Sequence, residues 1–331
     1  MPLTLTDTRL APPVLLAPLA GITDLPFRNL VAGFGAGLVV SEMVASQEMV
    51  QAKPGVRERA ELGFDVENTA VQLAGREAHW MAEAARMVAD NGARIIDINM
   101  GCPARKVTSA SGAGASGSAL MKDLDHALTL IDAVVGAVDV PVTLKTRLGW
   151  DDALLNAPDL ARRAEAAGVQ MITIHGRTRC QFYKGHADWA AIARIKQAVA
   201  IPVIANGDII DTASAAAALR LSGADGVMIG RGAQGRPWLL AQVAHAIYGG
   251  AAPVIPQGGA HVDMVAGHYE AMLGFYGRDL GVRVARKHLG WYLDTCTVPP
   301  ELRRLVLTSR DPAAVLRALP DALNHGERVA A

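Results

Sequence analysis

Cys102 directly follows a predicted strand, at a position where a thiol could carry out chemistry. Residues 95–98, Ile-Ile-Asp-Ile, are β-branched and apolar apart from one aspartate, which predicts a buried strand. Residues 99–101 carry the chain off the end of that strand, and Pro103 helps to fix the turn that holds Cys102. Barrels of α/β type hold their catalytic groups just past the C-terminal ends of the strands. A small buried residue is the alternative, because free cysteines are among the most buried residue types.

Polar side chains also follow the other predicted strands, each near the C-terminal end of its strand. Any one of them could be a helix cap or a hydrogen-bonded core residue. Residues that only stabilise a barrel have no reason to gather at that rim, whereas catalytic and binding residues do. The set comprises Pro18, Leu19, Ala20, Glu42, Gln72, Asn99, Cys102, Lys145, His175, Arg177, Asn206, Gly207, Asp208, Gly230 and Arg231.

The last two strand ends predict a phosphate site. Residues 206–208, Asn-Gly-Asp, and 230–232, Gly-Arg-Gly, follow the seventh and eighth predicted strands, where barrels commonly bind phosphate. Glycines let backbone N–H groups approach a phosphate, and Arg231 can pair with it through two nitrogens. With Lys145 and Gln72 facing a planar ligand, this site suggests FMN, which the protein would orient and tune electrostatically.

Eight short aliphatic runs alternate with helical patterns and must position these residues. Eight β-then-α units over about 230 residues predict an α/β fold, a (β/α)8 TIM barrel. An open doubly wound sheet is the rival, but residues 17–21, Ala-Pro-Leu-Ala-Gly, are not the GxGxxG turn that it would want. The predicted strands are Val14–Ala17, Leu38–Ser41, Ala70–Leu73, Ile95–Asn99, Val142–Lys145, Met171–His175, Val203–Ala205 and Gly226–Ile229. Helical patterns include His79–Asn91, Leu124–Val138, Pro158–Ala167, Trp189–Val199 and Thr212–Ser222.

The barrel pattern ends near residue 248. We predict a barrel domain over 1–248, a linker rich in Gly, Ala and Pro over 249–260, and an all-helical C-terminal domain over 261–331. Its predicted helices are His261–Tyr276, Gly281–Asp294, Pro300–Thr308 and Pro312–Leu319. Within the barrel, the segment Thr108–Ser118 is rich in Gly, Ser and Ala, which predicts a mobile loop.

Composition limits the classes of partner. The 331 residues are 51% hydrophobic and 5% aromatic, so the core must be aliphatic, and 32 Lys and Arg balance 32 Asp and Glu. Any nucleic-acid surface must therefore be a local patch. The three cysteines have no CxxC or metal-ligand spacing, which predicts a cytoplasmic protein with no disulfide framework and no metal. No signal peptide or run of transmembrane length is apparent, and nothing calls for a membrane or a protein partner.

Eight blocks, in family order, resemble the tRNA-dihydrouridine synthases over nearly the whole chain. The most specific are the Gly-Cys-Pro block and residues 175–178, His-Gly-Arg-Thr, since many FMN barrels carry the last two blocks. Residues 235–238, Gly-Arg-Pro-Trp, and 286–292, Arg-Lys-His-Leu-Gly-Trp-Tyr, are most similar to the bacterial B type. The eight blocks are residues 17–24, 41–43, 71–75, 97–103, 144–150, 174–178, 205–208 and 229–233.

This resemblance implies FMN-dependent, NADPH-driven reduction of the C5–C6 double bond of uridine in tRNA. It implies Cys102 as the proton donor, Asn99 and Arg177 on the substrate side, and His175 beside the flavin and the substrate. The implied FMN-binding residues are Pro18, Leu19, Ala20, Gln72, Lys145, His175, Asn206, Gly207, Asp208, Gly230 and Arg231.

The residue types suit that reaction. Hydride transfer from flavin N5 to C6 of uracil creates enolate character at C5–C4–O4, so C5 must then be protonated. An unperturbed thiol, with a pKa of about 8.5, is mostly protonated at neutral pH and can supply that proton. Lys145 near the flavin N1–O2 edge would stabilise the reduced, anionic flavin. The target base must leave its stack in folded tRNA to reach the pocket.

A basic face on the second C-terminal helix predicts an RNA contact. Arg283, Arg286 and Lys287 lie at i, i+3 and i+4, so they share one side of the helix. A solvated surface is the alternative reading, and the family resemblance favours contacts to tRNA phosphates, which position RNA without reading its sequence.

Two other functions stay open from the sequence. An FMN barrel that reduces a free pyrimidine or another small enone would share the flavin site and the acid, but it would not need the helical tail. A non-catalytic RNA-binding regulator would not need Cys102, Lys145 and His175, and it would not bind flavin.

Overall fold

The computed structural model describes residues 2–53, 55–63, 68–109 and 116–324, and within these ranges eight parallel strands close into a barrel. The predicted (β/α)8 barrel and its eight strands are therefore confirmed. An antiparallel hairpin precedes the barrel, and a two-residue strand pairs with the end of the third barrel strand. The hairpin is β1 (Leu3–Leu5) and β2 (Thr8–Leu10), and the short strand is β5 (Val44–Ala45). The barrel strands are β3 (Val14–Leu16), β4 (Leu38–Val40), β6 (Thr69–Ala74), β7 (Ile95–Met100), β8 (Val142–Arg147), β9 (Met171–His175), β10 (Val203–Asn206) and β11 (Gly226–Ile229).

The strands are buried on both faces. Every residue of β6, β7 and β11 is buried, because one set of side chains fills the barrel and the other packs beneath the helices. The hairpin, which the sequence analysis did not predict, brings Leu5 and Leu10 against residues at the starts of the strands, such as Leu15 and Ile204. The N-terminal end of the barrel is thus filled with apolar side chains, which leaves its polar chemistry to the C-terminal end.

Helices surround the barrel and follow it. The predicted helices are confirmed, with boundaries that shift by a few residues. The helix Thr212–Ser222, for example, begins at a capping box formed by Asp211 and Ser214. It ends at Gly223, whose φ of 63° is left-handed. The helices up to the end of the barrel are α1 (Leu25–Phe34), α2 (Ser46–Val50), α3 (Ala78–Asp90), α4 (Arg105–Thr108), α5 (Leu124–Val135), α6 (Ala157–Ala166), α7 (Trp189–Ala198), α8 (Thr212–Ser222) and α9 (Leu239–Tyr248).

The C-terminal helices pack around a hydrophobic core of their own, and we call them the helical domain. They are α10 (Gly259–Tyr276), α11 (Arg278–Leu293), α12 (Pro300–Thr308) and α13 (Pro312–Leu323). Helix α13 continues through Pro320, where the sequence-based helix was expected to stop. Leu319, Ala322 and Leu323 are buried in the domain core, so packing offsets the backbone bond lost at the proline. Residues 110–115 of the predicted mobile loop, and residues 325–331, lie outside the described residues.

Candidate active site

A cavity of about 830 Å³ opens at the C-terminal ends of the barrel strands. It brings together residues from Ala17 to Arg236, because parallel strands end at the same rim. Every residue implied for FMN binding lies on its wall, together with Asn99 and Cys102, while Arg177 does not. The wall includes Pro18, Leu19, Ala20, Gln72, Asn99, Cys102, Lys145, His175, Asn206, Gly207, Asp208, Gly230 and Arg231.

A chain of buried amides and carboxylates holds the backbone of Cys102. The Oδ1 atom of Asn99 accepts from the backbone N–H groups of Gly101 at 3.2 Å and Cys102 at 3.0 Å. Asn99 Nδ2 donates to Gln72 Oε1 at 2.7 Å, and Gln72 Nε2 donates to Asp97 Oδ2 at 2.6 Å. Backbone N–H groups can only donate, so the orientation of both side-chain amides is fixed from the Cys102 end. The thiol is half-buried and lies on the cavity wall.

Strand register explains how this series of hydrogen-bonded side chains forms. Gln72, Asp97 and Thr143 are direct partners on β6, β7 and β8, and Asn99 lies beside Lys145. The Thr143 hydroxyl donates to Asp97 Oδ1 at 2.6 Å, so both carboxylate oxygens of Asp97 have a partner. Full burial raises the pKa of Asp97 despite these hydrogen bonds. Burial also lowers the pKa of Lys145 to about 8, with Arg147 acting in the same direction, so Lys145 is still mainly a cation at neutral pH.

The turn after β10 brings tightly turned backbone to the cavity wall. Gly207 and Asp208 both have positive φ, 113° and 53°, and both line the cavity. The side chain of Asn206 donates to Met228 O at 2.8 Å, which ties this turn to β11. Arg231 stands across the turn and is 55% exposed, so its guanidinium is accessible from the cavity. The predicted phosphate turns therefore face one another.

Arg177 lies behind this turn and is 2% exposed. Its two terminal nitrogens donate to the two carboxylate oxygens of Asp208 at 2.9 and 2.6 Å, and Nη2 also donates to the backbone carbonyl of Gly185. Partial burial acts to raise the pKa of Asp208, but the hydrogen bonds from Arg177 and Ala187 hold it below its ordinary value. The carboxylate of Asp208 therefore anchors the turn, and only its backbone is available to an anion.

His175 is neutral. Burial lowers its pKa well below the ordinary value, and the cations Arg147, Lys145, Arg177 and Arg231 act in the same direction. Its Nε2 atom lies 3.4 Å from Arg177 Nη1, and a guanidinium can only donate, so Nε2 accepts and the proton is on Nδ1. His175 can offer a hydrogen bond to a ligand, but it is not a protonated acid at neutral pH.

Comparison with known proteins decides the family. The chain matches the Dihydrouridine synthase (Dus) family over residues 15–325. It is 62% identical over 328 residues to a probable tRNA-dihydrouridine synthase of Rhodobacter capsulatus, covering 99% of each chain. The chain belongs to the dihydrouridine synthase family. It is also 48% identical to tRNA-dihydrouridine synthase B of Xanthomonas campestris, covering 94% of this chain and 93% of that one, in line with the predicted B-type resemblance.

The barrel of this dihydrouridine synthase has solved structural neighbours. A morphinone reductase variant, solved in complex with tetrahydroNAD, aligns with a TM-score of 0.50 over 77% of this chain and 92% of that one, at 17% identity. That likeness concerns the fold. The family itself consists of flavin oxidoreductases, so the chain is an enzyme of that kind.

Sequence reasoning gave no role to Arg147 and Tyr183, which also line the dihydrouridine synthase cavity. Arg147 donates to the carbonyls of Gly101 at 2.8 Å, Thr178 at 3.0 Å and Phe182 at 2.8 Å, so it joins the loop after β7 to the loop after β9. Burial lowers its pKa to about 10. The Tyr183 ring lies between two guanidinium groups, 5.5 Å from Arg147 and 5.1 Å from Arg231. The i, i+2 spacing of Lys145 and Arg147 on one strand was the available signal for Arg147, whereas nothing local marked Tyr183.

The three basic residues predicted to contact RNA have different surroundings. Arg283 is exposed, whereas Arg286 and Lys287 are half-buried. Arg286 donates to Thr308 O at 3.3 Å within the helical domain. Lys287 Nζ donates to the carbonyl of Gly21, which belongs to the barrel. The structure therefore does not leave these three side chains on one free surface.

Within the described ranges, no group of His, Cys, Asp and Glu residues is arranged to hold a metal ion. In the same part of the chain, no helix combines the length and the apolar character needed to cross a membrane. Cys180 is exposed and Cys296 is buried in the helical domain, and both are free thiols like Cys102.

Proposed function

We propose that this enzyme reduces the C5–C6 double bond of uridines in tRNA to 5,6-dihydrouridine, with FMN as cofactor and NADPH as reductant. The names of the Rhodobacter and Xanthomonas relatives support the substrate. The single observation that carries the proposal is the position of Cys102. Its thiol lies on the wall of the same cavity as Lys145 and the phosphate turns, so an acid, a cation and an anion site surround one ligand volume.

The residues present fit FMN. The turn at Gly207 and Asp208 offers backbone N–H groups, and the accessible guanidinium of Arg231 offers two donors to a phosphate. Pro18, Leu19 and Ala20 supply an apolar wall for a planar ring. A cavity of about 830 Å³ lies within the range that holds cofactors of this size.

Reduced FMN, when bound, supplies the hydride that uracil accepts at C6. Cys102 then donates its proton to C5, and the Asn99 network holds the Cys102 backbone in place while it does so. Lys145 presents a largely desolvated cation to the cavity, which stabilises negative charge on the reduced ring. His175 is neutral, so it orients ligands through Nδ1–H and leaves the proton donation to the thiol.

The tRNA substrate requires a surface beyond the cavity. A base that is stacked in folded tRNA must be extruded to reach Cys102, and the remaining nucleotides must be gripped by the protein. We assign this role to the helical domain, through phosphate contacts from Arg283 and Arg286. On this proposal residues 1–248 are the catalytic domain, 249–260 the linker and 261–331 the tRNA-binding domain of a cytoplasmic enzyme that needs no metal and no protein partner.

The direct test is conversion of an unmodified tRNA transcript by the purified enzyme with NADPH, with dihydrouridine mapped by position. A parallel reaction with free uridine separates this proposal from reduction of a small pyrimidine. Dihydrouridine at defined tRNA positions, with free uridine inert, is the expected result. A flavin-bearing protein that reduces free uridine or a simple enone faster than tRNA would contradict the substrate, and a flavin-free protein would contradict the cofactor.

A further inference from the structure

One residue of the barrel, Gly21, is held through its N–H and its carbonyl by two oppositely charged side chains. The backbone N–H of Gly21 donates to the carboxylate of Glu42, which is 8% exposed and follows β4. The carbonyl of Gly21 accepts from Lys287 Nζ, which projects from α11 of the helical domain. The two partners are 21 and 266 residues away in the chain. Lys287 is therefore a long-range contact between the helical domain and the barrel.

The conformation of Gly21 makes this contact specific. Its φ of +68° is left-handed, which glycine adopts without strain. A Cβ atom added at this position would lie 3.0 Å from Lys287 Nζ, so the ammonium closes over the space that a side chain would occupy. The turn is also closed internally, since the N–H groups of Ile22 and Thr23 donate to Leu19 O at 2.9 and 3.0 Å.

The same turn forms part of the cavity wall. Leu19, Ala20 and Ile22 line the cavity on either side of Gly21. The side chain of Leu19 lies against Gly230, with its Cδ2 atom 3.6 Å from the position of a Cβ atom added there. Gly230 precedes Arg231 at the predicted phosphate site. A displacement of the Gly21 turn would therefore also displace the part of the cavity wall that contacts the flavin.

Other contacts between the helical domain and the barrel position Lys287 beside Gly21. Tyr276 OH donates to Asp24 Oδ2 at 3.0 Å, and the ring of His288 packs on Phe27 with centroids 5.0 Å apart. These contacts dock α10 and α11 on the start of α1, immediately after the turn. Neither of these two contacts involves Gly21. The ring of His288 also lies close to the backbone of Ile22, next to Gly21 on the same turn.

We propose that Lys287 is a positioning residue for the flavin pocket, through which the helical domain fixes the Gly21 turn and thereby the Leu19–Ile22 wall. This inference rests on FMN as the cofactor of the proposed function. Lys287 then serves cofactor binding even without RNA, whereas its helical neighbours Arg283 and Arg286 do not. Docking of the helical domain, and any partner that shifts it, is coupled to flavin affinity through this ammonium.

The test is the dissociation constant of the deflavinated full-length protein for FMN, measured by flavin fluorescence in the absence of RNA. Lys287→Met removes the ammonium and keeps the aliphatic stem, and Lys287→Arg restores a cationic donor. Tyr276→Phe is the matched control, because it removes an interdomain hydrogen bond that does not reach Gly21. Arg278→Met, at an exposed arginine of α11, controls for loss of a positive charge on the same helix.

Lys287→Met is expected to raise the FMN dissociation constant by about 2- to 30-fold, the usual range for a residue that acts at a distance. Lys287→Arg, Tyr276→Phe and Arg278→Met are expected to bind FMN like the parent, although Tyr276→Phe lowers the melting temperature. The circular dichroism of the bound flavin should change in Lys287→Met alone.

Equal FMN affinity in Lys287→Met and Tyr276→Phe would overturn the proposal, and so would normal FMN affinity combined with a raised KM for tRNA, which would make Lys287 an RNA contact. If Lys287→Met does not fold, Glu42→Met removes the contact on the other side of Gly21, and unchanged FMN affinity in that variant overturns the proposal. A parent protein that does not bind FMN would overturn the cofactor assignment itself.

Discussion

The side-chain oxygen of Asn99 accepts a hydrogen bond from the backbone N–H of Cys102 at 3.0 Å, and the Asn99 amide nitrogen is bound in turn by Gln72. The proposed acid thus lies three residues after Asn99, and a buried network extending to Asp97 and Thr143 fixes its backbone. The barrel thus holds the N–H side of the Cys102 backbone, while its carbonyl accepts from the N–H and the hydroxyl of Ser118 at 3.1 and 2.8 Å.

Replacement of Asn99 should therefore impair proton transfer more than cofactor binding. Asn99→Ala leaves the N–H groups of Gly101 and Cys102 without their acceptor, and we expect dihydrouridine formation to fall by about 10²-fold, the effect of a misplacement of about 1 Å. NADPH oxidation should change much less. Asp97→Asn is the control, since its amide oxygen can still accept from Gln72 and the Thr143 hydroxyl can accept from its nitrogen. Equal losses of both activities in Asn99→Ala would contradict this role.

Removal of the thiol separates the two half-reactions. We expect Cys102→Ala to retain flavin and NADPH oxidation but to lose dihydrouridine formation by about 10²- to 10⁴-fold, the usual contribution of a general acid. Product formation is measured by mass spectrometry of digested tRNA. Cys180→Ala, which removes an exposed thiol, should behave like the parent. A normal rate in Cys102→Ala would make that cysteine structural.

The proposed phosphate site predicts that loss of Arg231 weakens flavin binding. Arg231→Ala removes a charge-assisted contact worth about 1.5–3 kcal/mol, so the protein should purify with much less flavin. The ratio of visible to ultraviolet absorbance measures this occupancy. Arg220→Ala, at an exposed arginine of α8, is the charge-matched control. Full flavin occupancy in Arg231→Ala would refute the phosphate assignment.

Asp24, at the contact between the barrel and the helical domain, predicts a pH effect on stability. Burial raises the pKa of Asp24 to about 6 from an ordinary 3.8, although its hydrogen bonds from Phe27 and Tyr276 act in the opposite direction. The native protein thus binds this proton more tightly than the unfolded chain does. The contribution of Asp24 to stability is present below pH 4, is lost as the pH rises through about 6, and is constant above that.

Asp24→Asn keeps an oxygen that can cap α1 and cannot ionise. The quantity of interest is the free energy of unfolding of the variant minus that of the parent. We expect this difference to be about 2–3 kcal/mol larger at pH 7.5 than at pH 4. Urea unfolding at the two pH values measures this difference. Asp159→Asn, at a half-exposed side chain of α6, should differ from the parent by the same free energy of unfolding at both pH values. If the free energies of unfolding of Asp24→Asn and the parent differed equally at both pH values, the native carboxyl group would have an ordinary pKa.

The helical domain predicts a salt-dependent interaction with RNA. Arg283→Ala combined with Arg286→Ala should raise KM for tRNA and lower the slope of log affinity against log salt by about 0.7–0.9 for each lost phosphate contact. FMN content should be normal. Arg194→Ala combined with Arg220→Ala removes the same charge from the outer helices α7 and α8 of the barrel and should leave KM unchanged. An unchanged slope in the first double variant would remove this face from the tRNA contact surface.

Much of the fold was determined by local sequence. The aliphatic runs and their regular alternation with helical patterns predicted all eight barrel strands, because a strand buried on both faces must be apolar along its length. The residues after those strands, such as Lys145 and His175, could be assigned to one rim, because parallel strands end together. The hairpin β1–β2 was missed, since three-residue strands leave too short a pattern to detect.

Tertiary structure decided which side chains face the cavity and which hold it in place. Arg177 was predicted to lie near the substrate, but its guanidinium is bound by Asp208, on a loop 31 residues away. Lys287 shares a helical side with Arg283 and Arg286, and its contact with Gly21 spans 266 residues. Helical periodicity gives the side of a helix on which a residue lies, but not what the rest of the chain brings to that side. That depends on how the helical domain docks on the barrel, which only the packing of distant residues determines.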